Sequence, residues 1–265
     1  MAAGGIGAAR HGAAAAVAEA KRHFVYGLHA VAAVIERAPE RVLELWLAEP
    51  RDDRRMRDLK ERAHLAGLRV QLVRGESLDQ LVGAAAHQGA VAAVRPRQSW
   101  DERALIAALD RLAAEPLLLV LDGVTDPHNL GACLRTADAA GVDAVIVPRD
   151  RAAAVDGVVR KVAAGAAEFV PVASVTNLAR TLDTLKKRRI WVAGLEGAAA
   201  QPLHAADLRR PLAIVLGAEG GGMRRLTRER CDFLLRIPMA GAVASLNVSV
   251  AAGVALFEAR RQRSG

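Results

Sequence analysis

The stretch that decides the fold is Leu117–Gly131, with the sequence LLLVLDGVTDPHNLG. Its first five residues are apolar without interruption, which predicts a strand buried on both faces of a sheet. A polar turn containing Pro127 follows, and a helix is predicted to start near Asn129. A buried strand, a short turn and a helix together form the first half of a βαβ unit.

The same alternation continues to the end of the chain. Short apolar runs predict strands at 117–121, 144–147, 169–172, 190–193, 212–216 and 234–237. Helical patterns lie between most of them, and a last helix is predicted over 248–261. Continuous apolar strands separated by helices indicate an α/β domain with a parallel sheet covered on both faces.

A smaller α/β unit is predicted ahead of this domain. Structure begins near His23, and strands are predicted at 42–47, 68–73 and 88–94. Helices are predicted at 28–37, 54–66 and 77–82, the last with Ser77 as N-cap, and at 101–114 in the second domain. The predicted organisation is therefore a disordered Ala/Gly-rich tail over 1–22, a first domain over 23–96, a linker over 97–100 and a second domain over 101–265.

The composition is that of a globular protein. Apolar residues make up 52% and charged residues 25% of the 265 residues, and no apolar run is long enough to span a membrane. The N-terminus lacks the compact apolar segment of a secretory signal, so a cytoplasmic protein is expected. The two cysteines, Cys133 and Cys231, form no cluster with zinc spacing, and no metal is expected.

The formal charge of +8 comes mostly from arginine, which accounts for 32 of the 37 basic residues. The guanidinium fork binds phosphate oxygens in pairs, which favours a nucleic-acid partner. The alternative is that GC-rich coding raised the arginine content and that these charges are only solvated. Composition alone leaves both interpretations open.

Glycine-rich loops follow three of the strands predicted in the C-terminal half of the chain. The segment 122–131 lacks the spacing of a dinucleotide fingerprint, and Met223-Arg224 stand where a phosphate-binding ATPase loop needs Lys-Ser or Lys-Thr. Glycines let backbone groups approach a ligand closely. With the apolar Ile237, Met239 and Leu246 nearby, these loops fit an adenosine-type cofactor with a flat heterocycle. The alternative is that they are simple turns, which are also rich in glycine.

Three ordered motifs carry a resemblance to a known family. Asn129–Ala137 (NLGACLRTA), Leu216–Arg224 (LGAEGGGMR) and Ile237-Pro238-Met239 followed by Ser245–Ala251 (SLNVSVA) resemble the motifs of the SpoU-type RNA 2′-O-methyltransferases. The match begins near residue 115 and extends to the C-terminus. Val25–Val31 (VYGLHAV) is similar to the opening of the ribosomal-protein-like RNA-binding domain present in some members.

The resemblance implies a fold and a reaction. The fold is the SPOUT domain, with a C-terminal trefoil knot, in a homodimer. The reaction moves a methyl group from S-adenosylmethionine to a ribose 2′-hydroxyl, without a metal. Members with this domain layout act on a guanosine in the peptidyl-transferase P loop of 23S ribosomal RNA.

The resemblance also assigns roles to residues. The catalytic residues it implies are Arg135, Asn129, Glu219, Ser245 and Asn247. The cofactor-binding residues it implies are Gly217, Ile237, Leu246, Gly194 and Met239, with Glu196 lining the same pocket. Arg135 would lie beside the target ribose. There it would either act as the base, deprotonated with help from the target's own phosphate, or hold that phosphate and stabilise the developing alkoxide.

Several of these residues have simpler explanations. Asn129 could cap its helix, and Ser245 or Asn247 could cap the last one. Glu219 would be repelled by an RNA backbone, so a functional Glu219 should pair with Arg135 or Arg224. Cys133 is expected in the core rather than as a nucleophile. The same chemistry on tRNA, and a non-catalytic RNA-binding role in ribosome assembly, are the alternative functions.

Overall fold

The computed structural model describes residues 23–83, 87–150 and 152–264. The tail predicted over 1–22 lies outside them. The chain divides into two compact units, the first ending at Gln98 and the second beginning at Ser99. Within the second unit, Trp100 pairs with Ala173. The Trp100 N–H donates to the Val172 carbonyl, and the Ser174 N–H donates to the Trp100 carbonyl.

Among its described residues, the first unit contains a four-stranded sheet and three α-helices. Its elements are β1 (His23–Tyr26), α1 (Leu28–Arg37), β2 (Val42–Glu49), α2 (Arg54–Leu65), β3 (Val70–Arg74), α3 (Gly75–Val82) and β4 (Ala90–Val94). The strand order is β1-β4-β2-β3, with β2 parallel to β3 and the other pairs antiparallel. All five residues of β4 are buried, as expected for a central strand.

One prediction in this unit is wrong. Ser77 does not cap α3, because the chain turns from β3 directly into a helix that already begins at Gly75. Arg74 is the last residue of β3, where it pairs with Glu49, and it also takes the N-cap position.

The second unit contains seven parallel strands and six α-helices among its described residues. Its elements are α4 (Glu102–Leu109), β5 (Leu117–Asp122), α5 (Pro127–Ala140), β6 (Ala144–Pro148), α6 (Gly157–Val162), β7 (Val172–Val175), α7 (Leu178–Lys187), β8 (Trp191–Leu195), β9 (Gln201–Pro202), β10 (Leu212–Gly217), α8 (Arg225–Arg230), β11 (Phe233–Arg236) and α9 (Val248–Arg263). The strand order is β7-β6-β5-β10-β8-β11-β9. The α/β fold and the parallel sheet are confirmed.

Two elements of this unit have a boundary that differs from the prediction by more than two residues. The strand predicted at 169–172 lies at Val172–Val175, because Pro171 has no N–H to donate and the ladder starts after it. The helix predicted over 101–114 ends at Leu109, since Asp110 and the five residues after it include no buried side chain to extend its apolar face. The two-residue strand β9 was too short to be predicted from its pattern.

Alternate side chains of β5 point into two separate cores. Leu119 and Leu121 pack with residues of α5, α6 and α9 on one face of the sheet. Leu118 and Val120 pack with residues of α4 and α7 on the other face. Because all strands of this sheet are parallel, their carboxyl ends lie at the same edge, where the loops to the following helices meet.

The trefoil knot stays a prediction, because strand order and pairing do not specify how the chain threads. Within the described ranges, no helix is long and apolar enough to cross a membrane.

Candidate active site

A cavity of about 500 Å³ lies at the carboxyl ends of the central strands of the second unit. Its walls come from four chain segments, which are Leu195–Gly197, Leu216–Met223, Ile237 with Met239, and Ala244–Val248, together with Arg228 and Ala251. This volume lies in the range of pockets for small ligands. The second and third motifs of the sequence thus form one pocket.

The wall at the end of β10 contains four glycines, so much of its surface is backbone. A Cβ built on Gly217 would stand 2.0 Å from the Gly222 carbonyl carbon and 2.1 Å from the Met223 nitrogen. The loop closes on itself through hydrogen bonds between Ala218 and Gly222, at 2.9 and 3.1 Å. Glycine is therefore required at position 217, because any side chain would displace the loop.

The apolar part of the cavity includes three predicted cofactor residues, Ile237, Met239 and Leu246. Gly194, a fourth, does not line the cavity. A Cβ on Gly194 would stand 2.7 Å from Met223 Cε and 2.8 Å from Cys231 Sγ, so this glycine serves packing behind the wall. Its neighbour in sequence, Leu195, reaches the pocket instead.

Hydrogen bonds connect three of the predicted catalytic residues. The side-chain amide of Asn247 donates to Asn129 Oδ1 at 2.9 Å and to Glu219 Oε1 at 2.6 Å. Each of the three residues belongs to a different sequence motif, and Asn129 is buried. One amide group therefore joins all three motifs at the edge of the cavity.

The caps of the two helices are settled by geometry. Asp126, not Asn129, caps α5 by accepting from the N–H groups of His128 and Asn129. Asn247 caps α9 through a hydrogen bond from Ser249 N–H to its Oδ1 at 2.9 Å. Ser245 is exposed, lines the cavity and caps no helix.

Arg135 lies on α5, two turns after Pro127, with an exposed side chain. Within the described ranges, no group hydrogen-bonds to its guanidinium. The expectation that Glu219 pairs with Arg135 or Arg224 is wrong, because Glu219 accepts from Asn247. The Arg135 guanidinium is thus available to a ligand.

Two ion pairs at the cavity and its glycine-rich loop were not predicted from the sequence. Arg224 bonds to Asp122, whose side chain is completely buried at the end of β5. Arg228 Nε donates to Glu196 Oε2 at 2.7 Å, and both residues line the cavity. The signal in the sequence was a carboxylate that ends an apolar strand, but its partner lies 102 residues away.

The cysteines are not candidates for catalysis. Burial raises the pKa of the Cys133 thiol to about 12, and burial also raises the pKa of the Cys231 thiol to about 12. The reactive thiolate is therefore absent near neutral pH. Among the described residues, no three His, Cys, Asp or Glu side chains are grouped as metal ligands.

Comparison with known proteins places these features in a family. The SpoU rRNA Methylase family matches residues 116–257, and a domain described as RNA 2′-O ribose methyltransferase substrate binding matches residues 24–100. The chain is 57% identical over 242 residues to the 23S rRNA (guanosine-2′-O-)-methyltransferase RlmB of Pseudomonas aeruginosa, which covers 91% of this chain and 96% of the relative. It is 54% identical to the RlmB of Escherichia coli, over 91% of this chain and 98% of that protein.

A solved structure agrees with the sequence relatives. The SpoU methyltransferase AviRb of Streptomyces viridochromogenes, in complex with AdoMet, has a TM-score of 0.71 and 26% identity, covering 94% of this chain and 93% of that chain. The cavity, the three joined motifs and these matches lead to one conclusion. The chain belongs to the SpoU rRNA methylase family.

Proposed function

We propose that this protein transfers a methyl group from S-adenosylmethionine to the ribose 2′-hydroxyl of a guanosine in 23S ribosomal RNA, in the P loop of the peptidyl-transferase centre. The observation that carries the proposal is the hydrogen-bonded set Asn129–Asn247–Glu219 beside a glycine-lined cavity. It joins a helix that bears a free arginine to a pocket of cofactor size.

The cavity suits the charge of S-adenosylmethionine. The cofactor carries a sulfonium, an ammonium and a carboxylate, for a net charge of +1. Among the described residues that line the cavity, two are acidic (Glu196 and Glu219) and one is basic (Arg228), which complements that charge. The backbone around Gly217 accommodates the polar part of the ligand, and the apolar Ile237 and Leu246 suit its adenine ring.

The chain's own residues orient the nucleophile. The bound cofactor supplies a methyl group that is already activated by the sulfonium. The 2′-hydroxyl is a weak nucleophile that must lose its proton as the new bond forms. In this proposal, Arg135 holds the phosphate next to the target ribose and stabilises the developing alkoxide with its charged guanidinium.

The proposed division of labour follows the two units. Residues 101–265 carry the chemistry, and residues 23–96 bind the RNA substrate. In the first unit, Arg54 and Arg55 start helix α2 with exposed side chains and no ion pair to any described residue. Exposed, uncompensated arginines supply phosphate contacts without costing a broken ion pair.

The partner in the proposed homodimer is a second copy of the chain, packed on α9. Val250, Val254 and Phe257 follow at helical spacing and are 51%, 40% and 50% exposed. This apolar stripe continues from Val248 and Ala251 of the cavity wall, which supports an interface next to the cofactor pocket. Action on ribosomal RNA is also consistent with the cytoplasmic location expected from the sequence.

The direct test is methylation of 23S ribosomal RNA isolated from a strain that lacks this gene. Ribose-methylation mapping after incubation with the protein and S-adenosylmethionine should show one new modified guanosine, in the P loop. Modification of tRNA, or of another rRNA site, would transfer the same chemistry to a different substrate. Binding of the rRNA without methylation of any RNA would support the assembly-protein alternative and overturn the proposal.

A further inference from the structure

Asp122 is a buried carboxylate next to the cavity but does not line it. It ends β5, and its side chain is completely buried. Burying an isolated charge is costly, so such a group needs a partner that satisfies both of its oxygens. The chain supplies this partner from a loop that is 102 residues distant in sequence.

The partner is Arg224, which binds both carboxylate oxygens. Its backbone N–H donates to Asp122 Oδ2 at 2.9 Å, and its Nε donates to Asp122 Oδ1 at 2.5 Å. Its Nη2 is also 2.5 Å from Oδ1. Charge-assisted bonds of this kind hold direction as well as distance.

Arg224 directly follows the glycine-rich segment of the cavity wall. The first glycine of that segment is Gly217, which pairs with Asp122 in the register of β10 and β5. The segment then runs through Gly220, Gly221 and Gly222 before reaching Arg224. Glycines have wide conformational freedom, so a loop of this composition needs fixed ends to keep one shape. Asp122 holds both ends, by strand pairing at Gly217 and by its side chain at Arg224.

The same aspartate is close in sequence to the helix that bears the other site residues. Asp126, four residues later, caps α5, which carries Asn129 and Arg135. Asp122 therefore links the glycine-rich loop of the cavity wall to the end of β5, and β5 leads into the helix α5 that carries Asn129 and Arg135.

We propose that Asp122 is a positioning residue, which holds the cofactor-binding loop 217–223 in its binding shape through Arg224. This inference rests on the proposed function, because it takes S-adenosylmethionine as the ligand of the cavity. Asp122 touches neither the cofactor nor the RNA in this role. Its loss should weaken cofactor binding much more than it slows the transfer of the methyl group.

The test compares Asp122→Asn and Arg224→Lys with the wild type. Asp122→Asn keeps the shape but loses the charge, and Arg224→Lys keeps the charge but loses the planar fork. The matched control is Glu168→Gln, which breaks another buried ion pair, the one from Arg160 to Glu168 at 2.6 Å, away from the cavity lining. Arg224 is 45% exposed, so Arg224→Lys tests the proposal even if Asp122→Asn fails to fold.

The first readout is the affinity for S-adenosylhomocysteine, measured by calorimetry. The second is the rate of hydrogen exchange in the segment 217–224 of the whole protein, measured without cofactor. The two variants should bind tenfold or more weakly and exchange faster in this segment, with KM for the cofactor raised and kcat nearly unchanged. Glu168→Gln should lose stability but keep the wild-type affinity.

Two results would overturn these ideas, and they are distinguishable. If the wild type itself fails to bind S-adenosylhomocysteine, the proposed function is wrong and this inference falls with it. If the wild type binds and both variants bind within twofold of it, Asp122 has only the structural role that the Glu168 control reports.

Discussion

The side-chain amide of Asn247 donates a hydrogen bond to the Glu219 carboxylate at 2.6 Å, and the same nitrogen donates a second one to Asn129 Oδ1. Asn247 also caps α9 with its Oδ1. Its nitrogen thus serves the site while its oxygen serves the helix. Substitutions can separate the two roles.

Asn247→Asp should keep the helix cap and damage the site. Asp is as good an N-cap as Asn, so stability should change little. The new carboxylate would lie beside Glu219, and two like charges at this distance raise the pKa of one of them. We expect single-turnover methylation to fall by roughly tenfold or more, the scale of a lost hydrogen bond to a charged group. Activity should recover partly as the pH falls below that raised pKa, because a protonated carboxyl group can donate again.

Asn177→Ala is the matched control for the cap. Asn177 caps α7 by accepting from Arg180 N–H at 3.0 Å, and it does not line the cavity. Both Asn247→Ala and Asn177→Ala should lose about 1 kcal/mol of unfolding free energy. Only Asn247→Ala should also lose methyl transfer. Equal rates for the two variants would leave Asn247 with the cap alone.

Gly217→Ala should abolish cofactor binding. Its Cβ would stand within 2.0 Å of the Gly222 backbone, and a backbone segment cannot move aside as a flexible side chain can. The loop must therefore shift, and with it the wall of the cavity. Calorimetry with S-adenosylhomocysteine measures the loss.

Gly157→Ala is the control for this glycine. It is the first residue of α6, and a Cβ there would meet nothing within 4 Å. It should bind the ligand like the wild type and be slightly more stable, because alanine restricts the unfolded chain. Normal binding by Gly217→Ala would show that the loop is not the cofactor wall.

The α/β class and most of the strands could be predicted because apolar runs of strand length are local signals. The Asn129 cap could not be decided in this way, since Asp126 offers an equally good capping side chain three residues earlier. Periodicity also could not indicate that Arg224 would pair with Asp122 rather than with Glu219, because both carboxylates follow predicted strands. The pairing depends on the order of the strands, which places β10 beside β5.

The conformation of Glu219 shows the same limit. Electrostatics predicted an arginine partner for Glu219, whereas the donor in the structure is the neutral side-chain amide of Asn247. As a result, no carboxylate among the described residues pairs with Arg135. The motif resemblance could name these residues, whereas only the fold could show how they connect.

The first unit should contribute phosphate contacts that depend on salt. Replacing Arg54 and Arg55 together by glutamine should weaken binding to 23S ribosomal RNA. It should also reduce the slope of log affinity against log salt by about 0.7 for each lost contact to single-stranded RNA. Fluorescence anisotropy over a series of salt concentrations measures both effects.

The control for this experiment removes the same net charge from the second unit. Arg103 and Arg111 are exposed and have no side-chain partner among the described residues. If the double glutamine variant of this pair changes the slope as much as the α2 variant does, long-range charge rather than contact at Arg54 and Arg55 explains the binding.

The last prediction concerns Arg135, whose guanidinium is exposed and unpaired within the described ranges. Arg135→Ala should leave the affinity for S-adenosylhomocysteine nearly intact, because Arg135 is not part of the cavity wall. The rate of single-turnover methylation, with RNA and cofactor saturating, should fall by a factor on the order of 10² or more, the usual scale for a lost charge-stabilising group. Arg135→Lys keeps the charge but loses the fork that binds two oxygens, so it should restore little activity.

The control is Arg103→Ala, on a helix that packs against the opposite face of the sheet, and it should match the wild type in both measurements. A rate for Arg135→Ala within a few-fold of the Arg103→Ala rate would make Arg135 an ordinary solvated helix residue, and the proposed mechanism would lose the group that orients its nucleophile.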